Sequence, residues 1–240
     1  MIRMEWKDWE PHYNRIVARL NLDPQADRNA TSLLDSLLEE KPPSPFLERL
    51  ERIIEGRDVV VCGAGPSLEA HLKETIPAKG FSDMIYVASD GAASALLEFG
   101  YRCDVLVTDL DGDPKALMET IRKGAIPIVH AHGDNMDKIA EFVPTLDVVL
   151  GSTQVEPTDR VSLWGGFTDG DRACYLVSHY DPSRVILAGM DFGDVVGRWS
   201  KPGHRFSFMA DERKRKKLQI ARELISDLES RIDLDFTILE

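Results

Sequence analysis

Residues 85–113, IYVASDGAASALLEFGYRCDVLVTDLDGD, hold two short apolar runs, IYVAS and DVLVT, each closed by carboxylates: Asp90-Gly91, then Asp109-Leu110-Asp111-Gly112-Asp113. Apolar runs of this length, rich in β-branched or aromatic residues and bounded by turn residues, read as buried strands. In an open α/β sheet, ligands bind beyond the carboxyl ends of the strands, which is where these acids fall. If the chain stays extended past Thr108, Asp109 and Asp111 project to one side while Leu110 turns inward. With Asp90 on a neighbouring strand end, they form a hard-oxygen site suited to Mg²⁺ carrying a polyphosphate. A structural reading stands beside this one. Asp90 can cap the helix AASALLEF, and Asp113-Pro114 has the form of an N-cap followed by proline at the first helical position. We take Asp113 as a cap, and Asp90, Asp109 and Asp111 as the metal ligands.

The same rhythm extends on both sides. DVVVCG precedes the stretch, followed by the loop Gly63-Ala64-Gly65-Pro66-Ser67-Leu68 and a helix through Leu72. After it come helix PKALMETIRKG, strand IPIVHA, helix NMDKIAEFV and strand LDVVLG. Further on are helix GFTDGDRACYLVSHY, strand VILAGMDF, the long helix MADERKRKKLQIARELISDLESR and strand DFTIL. Alternation of this kind predicts an α/β fold, a doubly wound, mostly parallel sheet with helices on both faces. Residues 1–55 lack the rhythm and show helical spacing instead, as in Leu33, Leu34, Leu37 and Leu38. They read as a helical N-terminal extension to a nucleotide-binding domain at 56–240. Trp6, Trp9 and Tyr13 fit a packing face better than a ligand lid.

The 240-residue chain is 43% hydrophobic, with net charge −12 from 41 acidic and 29 basic residues. That balance disfavours nucleic acid as the main partner, because phosphate-backbone binding needs a basic footprint. Cys62, Cys103 and Cys174 lie apart in apolar surroundings with no Cys-x-x-Cys, as expected of buried core residues in a reducing compartment. No signal peptide and no membrane-spanning run is evident, so a cytoplasmic protein without a membrane partner is expected. A homo-oligomer stays open.

Several motifs fall at strand ends. GAGPSL is a phosphate-type turn: Gly63 and Gly65 permit close backbone approach, and Pro66 and Ser67 open a helix whose free N–H groups attract anions. A plain strand-to-helix turn explains it equally well. His130-Ala131-His132-Gly133-Asp134-Asn135 follows strand IPIV. His132 is read as helping to neutralise a phosphate, Asp134 or Asn135 as a helix N-cap, and His130 as packing on the opposite side. Thr168-Asp169-Gly170-Asp171-Arg172 opens a helix; Asp169 is either its cap, or the turn sets Asp169 or Asp171 near the other acids, with Arg172 as a phosphate fork. Residues 193–208 form a long loop in which Arg198, Lys201, His204 and Arg205 are placed to close over a diphosphate. The basic run at 213–217 reads as the solvated start of an amphipathic helix.

Together these residues resemble a known family. Ser89-Asp90-Gly91-Ala92 and the stretch from Cys103 to Gly112 resemble the paired acidic motifs of thiamine diphosphokinases. GAGPSL, HGDN at 132–135 and GFTDGDRA at 166–173 resemble the archaeal-type 6-hydroxymethyl-7,8-dihydropterin diphosphokinases, the MptE-like family, whose domain is shared with motility-associated glycan-transfer proteins. The resemblance covers about residues 56–207. It implies Mg²⁺- and ATP-dependent transfer of diphosphate to the hydroxymethyl group of a reduced pterin, with release of AMP, in methanopterin- or folate-type cofactor synthesis. It also implies that Asp90, Asp109 and Asp111 hold Mg²⁺, and that Asp109, Asp111, His132 and Asp134 are catalytic, Asp109 or Asp134 taking the alcohol proton. Gly63, Gly65, Pro66, Ser67, Asp90, Gly91, Asn135, Thr168, Asp169, Arg172 and Lys201 would bind the nucleotide. The pterin slot falls among Trp164, Phe167, Phe192 and Trp199, with Asp191 or Asn135 at its amino edge. Gly112-Asp113 stands where thiamine diphosphokinases carry Ser, which points away from thiamine. Glycan transfer by the same domain, thiamine diphosphorylation, and a metal-free Rossmann-type binder using Asp90 on a ribose are the competing readings.

Overall fold

The apolar runs are buried on both sides, as strands of a parallel sheet covered by helices must be. A computed structural model describes residues 4–239. In chain order the strands are β1 (Asp58–Cys62), β2 (Ile85–Ser89), β3 (Val105–Thr108), β4 (Ile126–Ala131), β5 (Leu150–Thr153), β6 (Val161–Ser162) and β7 (Arg184–Ala188). The short strands β8 (Val195–Val196) and β9 (Phe208–Met209) follow, then β10 (Asp235–Ile238). One eight-stranded sheet runs β10-β7-β1-β2-β3-β4-β5-β6 with every neighbouring pair parallel. From β1 the chain winds outward through β2 to β6, then returns to β7 on β1's other side. This reversal beside β1 is the topological switch point, where such sheets open a crevice.

Side chains alternate across the sheet and divide the core in two. Val59, Val61, Val87, Val105, Val107, Ile126 and Ile128 pack with α1 (Trp6–Leu20), α3 (Ser44–Ile54), α9 (Asp169–His179) and α10 (Glu212–Arg231). Val60, Cys62, Tyr86, Ala88, Leu106 and Val129 face α2 (Pro24–Leu37), α4 (Leu68–Ala70), α5 (Ile76–Lys79), α6 (Asp90–Glu98), α7 (Pro114–Arg122) and α8 (Met136–Phe142). The sheet is therefore doubly wound, as the alternation predicts. The N-terminal helices take part in both layers. Trp9 is fully buried, lies edge-on to Tyr175, and donates its indole N–H to the Gln154 carbonyl at 3.0 Å. It is a packing residue that ties the N-terminal helix to the end of β5.

Two local expectations change. The strand expected at 146–151 begins only at Leu150 and runs on through Thr153. Its polar end is stabilised inside the fold by side-chain bonds, Thr153 to Thr31 at 2.7 Å and Ser152 to His130 at 3.3 Å. The loop at 193–208 closes on an antiparallel pair, Val195 with Met209 and Val196 with Phe208. All three cysteines are free and buried. Burial pushes the Cys103 thiol up to about 12, so it stays protonated and unreactive. No described helix is long and apolar enough to cross a membrane.

Candidate active site

Beyond the carboxyl ends of the strands lies a cavity of about 1130 Å³. Its floor is built from three carboxylates, Asp90, Asp109 and Asp169, each with one oxygen within 4.8 Å of an oxygen of the other two. Asp90 begins α6 directly after β2, Asp109 follows β3, and Asp169 is the first residue of α9.

Asp169 faces this group because its neighbours cap the helix instead. Thr168 and Asp171 form a capping box: Asp171 accepts from the Thr168 N–H at 2.8 Å and from the Phe167 N–H at 2.6 Å. With the cap filled by the residues on either side, the carboxylate at the first helical position is left for the cavity.

Asp111 is not brought to the cluster. Leu110 turns into the left-handed region (φ 67°) and buries its side chain. The chain past Thr108 is thus a turn, and the strand alternation that would align Asp109 with Asp111 is broken. The turn holds because its donors are used. Leu110 N–H bonds Thr108 Oγ1, while the N–H groups of Asp111 and Gly112 both bond Asp90 Oδ2, at 2.9 and 2.8 Å. Asp111 borders the cavity outside the cluster, its side chain two-thirds exposed and paired with Lys138. Asp169 occupies the third place that spacing had given to Asp111.

The electrostatics of the floor are those of crowded acids. Burial and the adjacent Asp109 charge push Asp90 well above the ordinary carboxylate range, and its Oδ1 is buried with no hydrogen-bond partner. Burial and the charges of Asp109 and Asp90 likewise push Asp169 up. Burial acts upward on Asp109 too, but the adjacent His132 imidazole and Asp90, with the Asp111 N–H on Asp109 Oδ1 at 3.1 Å, outweigh it and hold Asp109 below its ordinary value. Three mutually repelling carboxylates with one orphaned buried oxygen make a donor set that fits a hard divalent cation such as Mg²⁺.

His132 Nε2 lies 3.6 Å from Asp109 Oδ2, and its Nδ1 accepts from the Asp134 N–H, which assigns the ring proton to Nε2. His130 shares the same side of the strand, as the i, i+2 relation requires, and the two rings stack at 6.0 Å; it does not pack on the opposite side. Asp134 is exposed at the cavity edge. Asn135 lies beneath it and joins β3 to β4, its amide donating to the carbonyls of Asp109 and His130 at 2.9 and 2.8 Å.

Gly63, Gly65, Gly91, Thr168 and Lys201 line the cavity. The anion-binding face of the GAGPSL turn, however, is filled from within the protein: Asp191 Oδ2 accepts from Ser67 N–H at 3.1 Å and Ser67 Oγ at 2.7 Å. A Cβ on Gly65 would lie 2.1 Å from that oxygen. Ser67 therefore serves the Asp191 contact, and neither Pro66 nor Ser67 lines the cavity. Arg172 is fully buried, its guanidinium donating to the Phe167 carbonyl at 3.0 Å; it braces the loop before α9 and does not reach the cavity surface. Arg198 is drawn away to Glu69 and Glu98, at 3.0 and 3.1 Å. The backbone beside it packs so closely that a Cβ on Gly91 would meet the Trp199 carbonyl at 1.9 Å. Of the four aromatics expected at a heterocycle slot, Phe167 and Phe192 line the cavity. Trp164 is in the core, and Trp199 packs edge-on against Phe99 at 6.2 Å.

Two contributors escaped the sequence reading. One face of the basic run on α10 lines the cavity with Arg213, Lys214 and Lys217; burial and the neighbouring Lys217 charge lower Lys214. The signal was the 3–4 residue spacing of those cations, which continues into buried Ile220, Ala221 and Leu224. The other is Asp27 of α2, buried beside β4 and β5. Nothing local marks it, because its partners Tyr13, Gly133 and Gln154 are distant in sequence.

The family described as 6-hydroxymethylpterin diphosphokinase MptE-like matches residues 31–197. A Pyrococcus furiosus protein named 6-hydroxymethyl-7,8-dihydropterin pyrophosphokinase is 47% identical over 95% of each chain. Proteins of the same name from Methanocaldococcus jannaschii and Methanothermobacter thermautotrophicus are 41% and 40% identical, covering 97% and 96% of this chain and 99% and 98% of their own. The family match covers more than half of the chain and these relatives are aligned over nearly all of it, so the chain belongs to the MptE-like, 6-hydroxymethylpterin diphosphokinase family.

Proposed function

We propose that this chain transfers diphosphate from ATP to the hydroxymethyl group of 6-hydroxymethyl-7,8-dihydropterin, releasing AMP, with Mg²⁺ held by Asp90, Asp109 and Asp169. The observation that carries the reading is the cluster of three carboxylates within 4.8 Å on the floor of a cavity whose wall carries Lys201, Lys214 and Lys217. Acids alone would repel ATP, and lysines alone would bind any polyanion. Together they suit a metal-bound triphosphate. Bound there, Mg²⁺ would neutralise the phosphate oxygens on which charge develops.

The chain's own residues do the rest. Lys214 and Lys217 are fixed on a helix and offer cations to the phosphate chain without reorganisation. Lys214 is further steadied by its 3.3 Å contact with Ser200 Oγ. His132, its Nε2–H toward Asp109, holds that carboxylate ionised and oriented at the edge where an acceptor hydroxyl approaches. Asn135 fixes the ends of β3 and β4 against each other, so Asp109 and His132 keep their spacing.

The test is product analysis with a panel of acceptors. AMP should appear with 6-hydroxymethyl-7,8-dihydropterin, ATP and Mg²⁺, and should be absent with thiamine or without the metal. Equal AMP release with and without a pterin would overturn the proposal.

A further inference from the structure

The cavity has two chemically different sides, separated by the acid floor. On one side are Lys201 and the α10 cations Arg213, Lys214 and Lys217. On the other are side chains from the start of α2 and the ends of β4 and β5, among them Asp23, Asp27, His130, Asp134 and Gln154, with no lysine or arginine among the described lining residues. Phosphates have no counter-charge there. A neutral ring rich in N–H donors does.

We propose that this second side is the acceptor subsite, and that Asp27, His130 and Gln154 recognise the pterin's aminopyrimidine edge. The inference rests on the pterin diphosphokinase reading and adds where the pterin lies and what selects it. Three observations lead to it. Asp27 is 5% exposed, yet it borders the cavity with its carboxylate held rigid by Tyr13 Oη at 2.6 Å, Gln154 Nε2 at 2.7 Å and Gly133 N–H at 2.8 Å. Those bonds use both lone pairs of Oδ2 and one of Oδ1, which leaves Oδ1 able to accept once more. His130 is 3% exposed, and its buried Nε2 has no hydrogen-bond partner. A buried ring nitrogen left this way is costly unless a ligand completes it. Finally, Leu22 and Ala26 border the same region and supply apolar surface for the flat of a ring.

The placement also explains how the two substrates meet. His132 and Asn135 belong to the turn that borders this subsite, and both touch Asp109, by Nε2 and through its carbonyl. A pterin seated by its amino edge against Asp27 directs its far, hydroxymethyl side toward the acid floor. ATP approaches the same floor from the lysine side. The reacting oxygen and the β-phosphorus are thereby brought together across the metal ligands. Asp27 and His130 are specificity residues in this scheme and take no part in bond making.

The test is direct binding, followed through the intrinsic fluorescence of 6-hydroxymethyl-7,8-dihydropterin, beside calorimetry of Mg²⁺–ATP, on the full chain. Asp27→Asn should weaken pterin binding about 10-fold or more and leave Mg²⁺–ATP within about twofold. His130→Gln, which removes the Ser152 contact and the stack on His132 but leaves the Asp27 bonds in place, serves if Asp27→Asn melts too low to assay, and should show the same split. An analogue with oxygen in place of the 2-amino group adds a readout that packing damage would not move. Wild type should reject it, and Asp27→Asn should discriminate less. Variants that lose Mg²⁺–ATP binding and keep the pterin would overturn the assignment while leaving the diphosphokinase reading intact. A wild-type protein that binds no pterin would instead overturn that reading, and the subsite with it.

Discussion

Replacing Asp169 with Asn separates the geometry seen in the structure from the one that strand spacing suggests. The substitution keeps size and removes one charge from a group of acids, each with one oxygen within 4.8 Å of an oxygen of the other two. Two unit charges at that distance repel by roughly 3 kcal/mol at an effective dielectric constant of about 20. Burial and mutual repulsion already raise Asp90 and Asp169, so protons relieve part of this in the metal-free protein. The gain expected for metal-free Asp169→Asn is then on the order of 1 kcal/mol, or about 2–4 °C in melting temperature for a chain of this size. With Mg²⁺ the order reverses: wild type should be stabilised by the metal, and the variant should lose most of that shift. Turnover should fall about 10²-fold or more, the scale of removing one fixed electrostatic stabiliser. Asp111→Asn is the matched control, because Asp111 is two-thirds exposed and its pair with Lys138 is solvent-screened. It should change stability by less than about 1 kcal/mol and leave the Mg²⁺ shift in place. Melting curves with and without Mg²⁺, beside AMP release, read both variants. An Asp169→Asn enzyme that keeps the metal shift, with Asp111→Asn losing it, would refute the cluster.

Other consequences follow from the walls of the site and from its buried groups. Lys214→Ala should raise the KM for Mg²⁺–ATP roughly 10-fold, with a smaller effect on the pterin KM, as initial rates at varied ATP would show. Burial lowers the pKa of His12, His71 and His130; the unfolded chain takes up protons near pH 6.5 that the fold refuses, so stability present above that pH is lost as pH falls below it. The slope approaches ~1.4 kcal/mol per pH unit for each histidine, and His130→Gln should flatten it in denaturant titrations from pH 7 to 5. Residues 201–207 between β8 and β9 should gain hydrogen-exchange protection when a non-hydrolysable ATP analogue and pterin bind, whereas the segment packed at Gly91 should be protected throughout.

The sheet was legible because parallel strands buried on both faces are nearly continuous apolar runs, as in Val59–Cys62 and Val105–Val107. Asp90 and Asp109 were legible for the same reason, being the first charged residues after such runs. Spacing failed at Asp111, since period-two alternation holds only for extended chain and Leu110 leaves it. Asp169 was visible as a residue near the acids, but its place as third carboxylate of the cluster depends on the Thr168–Asp171 cap, a bonding choice that composition does not fix. The end of β5 was hidden because Ser152 and Thr153 look like loop residues until Thr31 and His130 are set against them. The GAGPSL turn misled in another way: its motif marks an anion site, and the anion is the protein's own Asp191.

The most direct measurement follows the phosphorus atoms. ATP labelled separately at the β and γ positions, incubated with Mg²⁺ and 6-hydroxymethyl-7,8-dihydropterin, should deliver both labels to one pterin product, with AMP formed in equal amount. Substitution of Asp169 by Asn should suppress transfer of both labels together. Delivery of the γ label alone, with ADP left behind, or AMP formed while both labels go to water, would contradict diphosphate transfer at this site.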